Sequence, residues 1–95
     1  MEHSRLEEYR KGIDECDDTI ISALKKRFEI TRQVGMYKAE HKLAPLDTSR
    51  EEAQDIKLKE KWADTEYPSY EFVQSLFKSI RNEVKKNHSN IKRGS

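Results

Sequence analysis

Residues 24–51 read LKKRFEITRQVGMYKAEHKLAPLDTSRE, and the spacing of charge within them decides the fold. Arg27 and Lys38 sit eleven positions apart with no proline between them. Eleven steps of about 100° make three turns plus about 20°, so in a helix both cations point the same way. They share a stripe with apolar residues, the side that a helix normally turns inward. Beyond this stretch of helix, Asp47 and Glu51 flank Arg50 where a second helix starts. Cations on an inward face, met by carboxylates from the next helix, predict a polar pocket inside a helical bundle.

Toward the N-terminus the pattern continues. Leu6, Tyr9, Ile13, Cys16, Ile20 and Leu24 recur at steps of three and four, the signature of an amphipathic helix. Arg27, Thr31, Val34 and Lys38 extend the same stripe, which predicts one helix over about 5–42. Gly12 and Gly35 each weaken it by roughly 1 kcal/mol relative to alanine, unless Gly35 serves the close approach of another helix. A helix of this length is a rod of roughly 57 Å, too long for the rest of the chain to cover. A second copy covers it most simply, so the sequence predicts a homodimer of long packed helices.

Toward the C-terminus, Pro45 disfavours helix at Ala44 and removes a backbone donor, which ends the first helix. Thr48 followed by Glu51 fits a capping box, with Asp47 and Ser49 as other caps for a second helix over about 49–63. That helix has two candidate inner faces, one with Glu51, Leu58 and Trp62, the other with Ala53, Ile56 and Ala63. Residues 64–67 read as a loop, and Pro68 suits the first turn of a third helix. Tyr70, Val73, Phe77, Ile80 and Val84 form its apolar stripe, and residues 87–95 read as a frayed polar tail. The expected architecture is therefore all-α, with a long, a short and a medium helix per subunit. It forms a single domain over 1–95, structured over about 5–90. Arg93-Gly94-Ser95 has the look of an expression remnant and carries no weight in the fold.

Composition narrows the function. The chain has 95 residues, one domain's length. Charged residues make up 39% and apolar residues 34%, with a mean hydropathy of −1.06, but the net charge is only +1. Near-neutral balance with regular apolar spacing argues for solvated helices rather than disorder, and gives no reason to expect nucleic acid or an acidic membrane. No apolar run reaches membrane length. The N-terminus is not a signal peptide, and the single Cys16 suits a small buried thiol in a reducing compartment, so the expected location is the cytoplasm. His3, His41, His88 and Cys16 lack any metal-ligand spacing, and no serine or cysteine lies in a nucleophile motif.

What remains is electrostatic. The plain alternative for Arg27 is a side chain that snorkels to solvent. Against it, Ile20 and Leu24 share its face, and Lys38 repeats the oddity roughly 16 Å further along the axis. Two cations in such positions need counter-charges, which a dianionic ligand supplies. Arg10 precedes Arg27 by seventeen residues, about 100° short of five turns, so it joins such a pocket more readily from a second subunit. Asp47 and Glu51 also serve a helix start, where carboxylates favour the dipole. Arg50 can pair with them. His88 lies four residues after Val84, on the apolar stripe of the third helix, where a lone histidine is ordinarily a frayed-end or core residue.

Arg10, then Leu24-Lys25-Lys26-Arg27 running into Val34-Gly35-Met36-Tyr37-Lys38, then Pro45-Leu46-Asp47-Thr48-Ser49-Arg50-Glu51, resembles the all-helical class of chorismate mutase. The resemblance covers about residues 5–52 well; in the third helix it extends only to the apolar pattern around Leu76, Phe77 and Ile80. It implies an intertwined homodimer of three-helix subunits that rearranges chorismate to prephenate, a pericyclic step with no cofactor. It further implies that Arg27, with Arg10 of the other subunit, holds the two substrate carboxylates. Lys38 would donate to the ether oxygen whose bond breaks, and would also contact a carboxylate. Glu51 and the Asp47 region would take the ring hydroxyl, with Arg50 at the pocket edge. The family commonly has a glutamine or glutamate late in the third helix, sharing the ether oxygen with the lysine. Here that place falls on His88, or on Asn87 after a shift of one residue, and Val84 stands where a serine is often offered to a carboxylate. An isochorismate pyruvate lyase of the same fold is the nearest alternative, and the retained Asp47 and Glu51 favour the mutase. A non-catalytic helical regulatory or docking dimer is a further alternative.

Overall fold

The structure is a computed structural model that describes residues 2–44 and 48–94. Three helices follow in order: α1 (Glu2–Glu40), α2 (Thr48–Trp62) and α3 (Tyr70–Gly94). The all-α, long–short–medium order is the one expected. The chain divides into two compact units, Met1–Thr31 and Arg32–Ser95. Among the described residues no helix is long and apolar enough to cross a membrane.

In the first unit, every side chain from residue 4 to 23 is exposed, including Cys16, which the sequence placed inside. Leu6, Ile13 and Ile20 are 45%, 57% and 56% exposed, so the apolar stripe of this half of α1 lies open. Burial starts at Leu24 and recurs at Arg27, Phe28 and Thr31.

The second unit opens with the last turns of α1, where Gly35 is buried and Lys38 and Ala39 are half-buried. Val34, expected on the inner stripe, is instead 40% exposed; the stripe passes through Gly35, one residue on. α1 ends two residues earlier than expected, in a Schellman arrangement. The Leu43 N–H donates to the Lys38 carbonyl (2.7 Å) and the Lys42 N–H to the Ala39 carbonyl (3.2 Å), with Lys42 at φ 57°.

In α2, Glu51, Leu58 and Trp62 are half-buried while Ala53, Ile56 and Ala63 are exposed, which decides between its two candidate faces. Thr48 is already helical, and the alternative cap Asp47, with Pro45 and Leu46, lies outside the described residues. The connection to α3 is tied down by the Trp62 indole N–H, which donates to the Pro68 carbonyl (2.8 Å). Pro68 therefore belongs to the loop, not to the first turn of α3. Ser69 caps that helix: its Oγ accepts the Phe72 N–H (3.3 Å).

α3 buries Val73 and Ile80, with Tyr70, Phe77 and Val84 half-buried, as its stripe predicts. It does not fray at 87 but runs to Gly94. The reason is that His88 and Ile91, three residues apart on one face, prolong the inner stripe and pack on Gly35 of α1. Spacing sets His88 on the stripe; polar composition conceals Ile91 as its continuation.

Candidate functional site

The second unit brings parts of all three helices together around one turn of α3, residues 85–88. On its α2 side, the Lys85 Nζ lies 2.8 Å from Glu51 Oε1. One turn earlier, Arg81 Nη2 lies 2.9 Å from Asp55 Oδ1. Acids four apart on α2 thus meet bases four apart on α3 in an antiparallel ladder, which fixes the register of the two helices. The Arg81 rung is the more sheltered, with the arginine side chain 12% exposed.

On its α1 side, the same turn presents His88, which is only 4% exposed. Its ring lies where a side chain of residue 35 would stand. A Cβ built on Gly35 would come 2.5 Å from His88 Cδ2 and 2.9 Å from Nε2, closer than carbon and nitrogen pack. The expectation that Gly35 admits another helix is thereby met, and the visitor is an imidazole. Lys38 follows Gly35 by three residues on the same α1 face, where Cβ atoms are about 5–6 Å apart. This turn of α3 therefore meets Glu51 of α2 through Lys85 and Gly35 of α1 through His88, with Lys38 three residues after Gly35.

The other residues singled out from sequence are placed as follows. Arg50 is exposed at the start of α2. Arg10 and Arg27 belong to the first unit, where Arg10 is exposed and Arg27 half-buried. Asn87 is exposed beside the buried His88, so of the two candidates for the late third-helix position the histidine is the one turned inward. Lys85 and Arg81 were the residues that sequence reading missed as neighbours of the α2 acids. Their signal was available in the matching four-residue spacing of acids at 51 and 55 and bases at 81 and 85. Among the described residues, no group of three or more His, Cys, Asp or Glu is arranged to hold a metal ion.

A comparison with protein families matches residues 9–89 to the family described as chorismate mutase type II. A search of curated proteins returned no significant match.

Proposed function

Because the chain belongs to the chorismate mutase type II family, an isomerase family, we propose that it converts chorismate to prephenate at a site built by Lys38, Glu51 and His88 with Arg10, Arg27, Asp47 and Arg50. The observation that carries this reading is the turn 85–88 of α3. It touches Gly35, one turn from Lys38, through His88, and touches Glu51 through Lys85. The candidate residues are a cation, a carboxylate and an imidazole from three helices, with no nucleophile among them, which suits a reaction that needs positioning and electrostatics alone.

The chemistry follows from the substrate. Its ether C–O bond breaks as a new C–C bond forms within the same molecule, and only a compact conformer brings the two ends together. Arginines at both carboxylates select that conformer and convert flexibility into proximity. Arg27 takes one carboxylate and Arg10 of the partner subunit the other. As the C–O bond lengthens, negative charge grows on the ether oxygen. The ammonium of the half-buried Lys38 stabilises that charge more than it stabilises the ground state. His88 adds a second donor to the same oxygen, through a neutral N–H or as an imidazolium. Glu51 accepts the ring hydroxyl, a role the proposal extends to Asp47, and Arg50 supports the acidic pair.

The homodimer is part of the proposal. The described residues bury only two hydrophobic side chains, Val73 and Ile80, while Leu6, Ile13 and Ile20 line an open stripe on α1. Covering that stripe with a second copy removes apolar surface from water and supplies the second arginine. The lone exposed Cys16 suits a reducing compartment, consistent with a cytoplasmic enzyme.

The test is to follow loss of chorismate and appearance of prephenate with purified protein, and then to offer isochorismate and measure pyruvate. Turnover of chorismate to prephenate is expected. Pyruvate release from isochorismate as the faster reaction would assign the chain to the lyases of this fold, and turnover of neither would make it a docking domain.

A further inference from the structure

We propose that Gly35 is a positioning residue for the rearrangement: its missing side chain is the space that holds the His88 imidazole on the Lys38 face of α1. This rests on the reading of His88 as a donor to the substrate. A helix-interior glycine gives up stability relative to alanine, so its presence at a buried position calls for a reason. Gly12, in the same helix, has nothing within 4 Å of a built Cβ, so space does not require glycine there. Gly35 differs in kind. A Cβ would strike Cδ2 and Nε2 of one ring, at 2.5 and 2.9 Å, and approach Ile91 Cδ1 at 3.1 Å.

The ring has little freedom to yield. His88 is 4% exposed, in the interior of α3, with Ile91 on the same contact and Lys85 anchored to Glu51 one turn before it. A methyl group at position 35 therefore pushes the imidazole away from the α1 face that carries Lys38. A displacement of about 1 Å is enough to cost a catalytic donor a large part of its effect. Residues 35 and 88 thus act as one unit, in which a small residue on α1 is the counterpart of a ring on α3.

The test is a kinetic double-mutant cycle on the full chain with chorismate as substrate, using G35A, H88A and G35A/H88A. Folding is checked by helicity and thermal midpoint. H88A is expected to lower kcat by about 100-fold with little change in KM, as for loss of an oxyanion donor. G35A should lower kcat comparably. The double variant should be no slower than H88A, because with the ring gone a methyl group at position 35 has nothing to displace. In the H88A background, adding G35A should also raise the thermal midpoint, since alanine is the better helix former once the space is open. Wild-type kcat in G35A beside an impaired H88A overturns the role of Gly35 alone, as does a G35A loss that persists in full when His88 is absent. Unimpaired H88A overturns the reading of His88 itself and this inference with it. If G35A does not fold, the wild-type protein decides: NMR should show a cross-peak between Gly35 Hα and the His88 ring, and saturating prephenate should shift the ring signals. Ring signals that stay in place would overturn the proposal.

Discussion

Arg81→Met keeps a long apolar stem and removes one end of the sheltered rung between α2 and α3. The Arg81–Asp55 contact is 2.9 Å, with side chains 12% and 38% exposed. The neighbouring Lys85–Glu51 contact is 2.8 Å, with side chains 40% and 25% exposed. Distance therefore does not separate the two rungs; solvent does. Fully exposed pairs contribute about 0.2–1 kcal/mol, whereas breaking a fully buried pair costs about 3–5 kcal/mol because a charge is left behind without water. The arginine and the contacting aspartate oxygen are sheltered while the rest of the Asp55 side chain is open, so Arg81→Met should cost about 1.5 kcal/mol, between those two limits. Lys85→Met should cost about 0.5 kcal/mol, within the exposed range. For a domain of this size about 4–8 °C accompanies each kcal/mol, so the midpoints should fall by about 6–12 °C and about 2–4 °C. Thermal and urea unfolding at one fixed protein concentration measure both. A cycle with Asp55→Ala isolates the pair, with a coupling of about 1 kcal/mol expected. Raising the salt to about 1 M should erase the Lys85 effect and leave most of the Arg81 effect, because screening acts on the wetter pair first. Equal losses for the two variants, or a coupling between 81 and 55 below about 0.5 kcal/mol, would refute the argument from burial.

Three further outcomes are expected. Lys38→Ala should lower kcat for chorismate by at least ~100-fold in a steady-state assay, the loss typical of a single donor to a developing oxyanion; near-normal turnover would remove Lys38 from the ether oxygen. Lys42→Gly should raise the thermal midpoint, because Lys42 holds φ 57° at the end of α1, a conformation that costs an L-residue roughly 1–2 kcal/mol and glycine little. Ile13→Asp, at a side chain 57% exposed within its own chain, should leave helicity largely intact at high protein concentration but shift sedimentation toward monomer and reduce activity in step; an unchanged dimer would place the subunit contact elsewhere.

The order of three helices was legible because periodicity is a local signal. Leu6 to Lys38 and Tyr70 to Val84 each repeat often enough that single exceptions do not hide the stripe. The place of Gly35 on that stripe was harder. Val34 and Gly35 are neighbours, about 100° apart, and hydrophobicity points to the valine. The buried position goes to the glycine because the partner across the contact is a bulky ring, and two large residues do not fit where one helix meets another. The same pairing explains why α3 outlasts its apolar run. Asn87-His88-Ser89-Asn90 looks like a solvated end; the spacing from Val84 already sets His88 on the stripe, and its contact with a residue far earlier in the chain decides for the core reading and adds Ile91. Local spacing puts His88 on the stripe but does not name the residue it meets. The first unit makes the complementary point. Its stripe from Leu6 to Ile20 was read correctly as apolar, yet those side chains and Cys16 are exposed in the single chain. A pattern of this sort marks a face to be covered, and in the proposed homodimer a second copy supplies the covering surface. Arg10, off the common face of Arg27 and Lys38 and exposed here, fits the same logic. In the proposed dimer, a second copy would turn that charge toward a substrate held by the first.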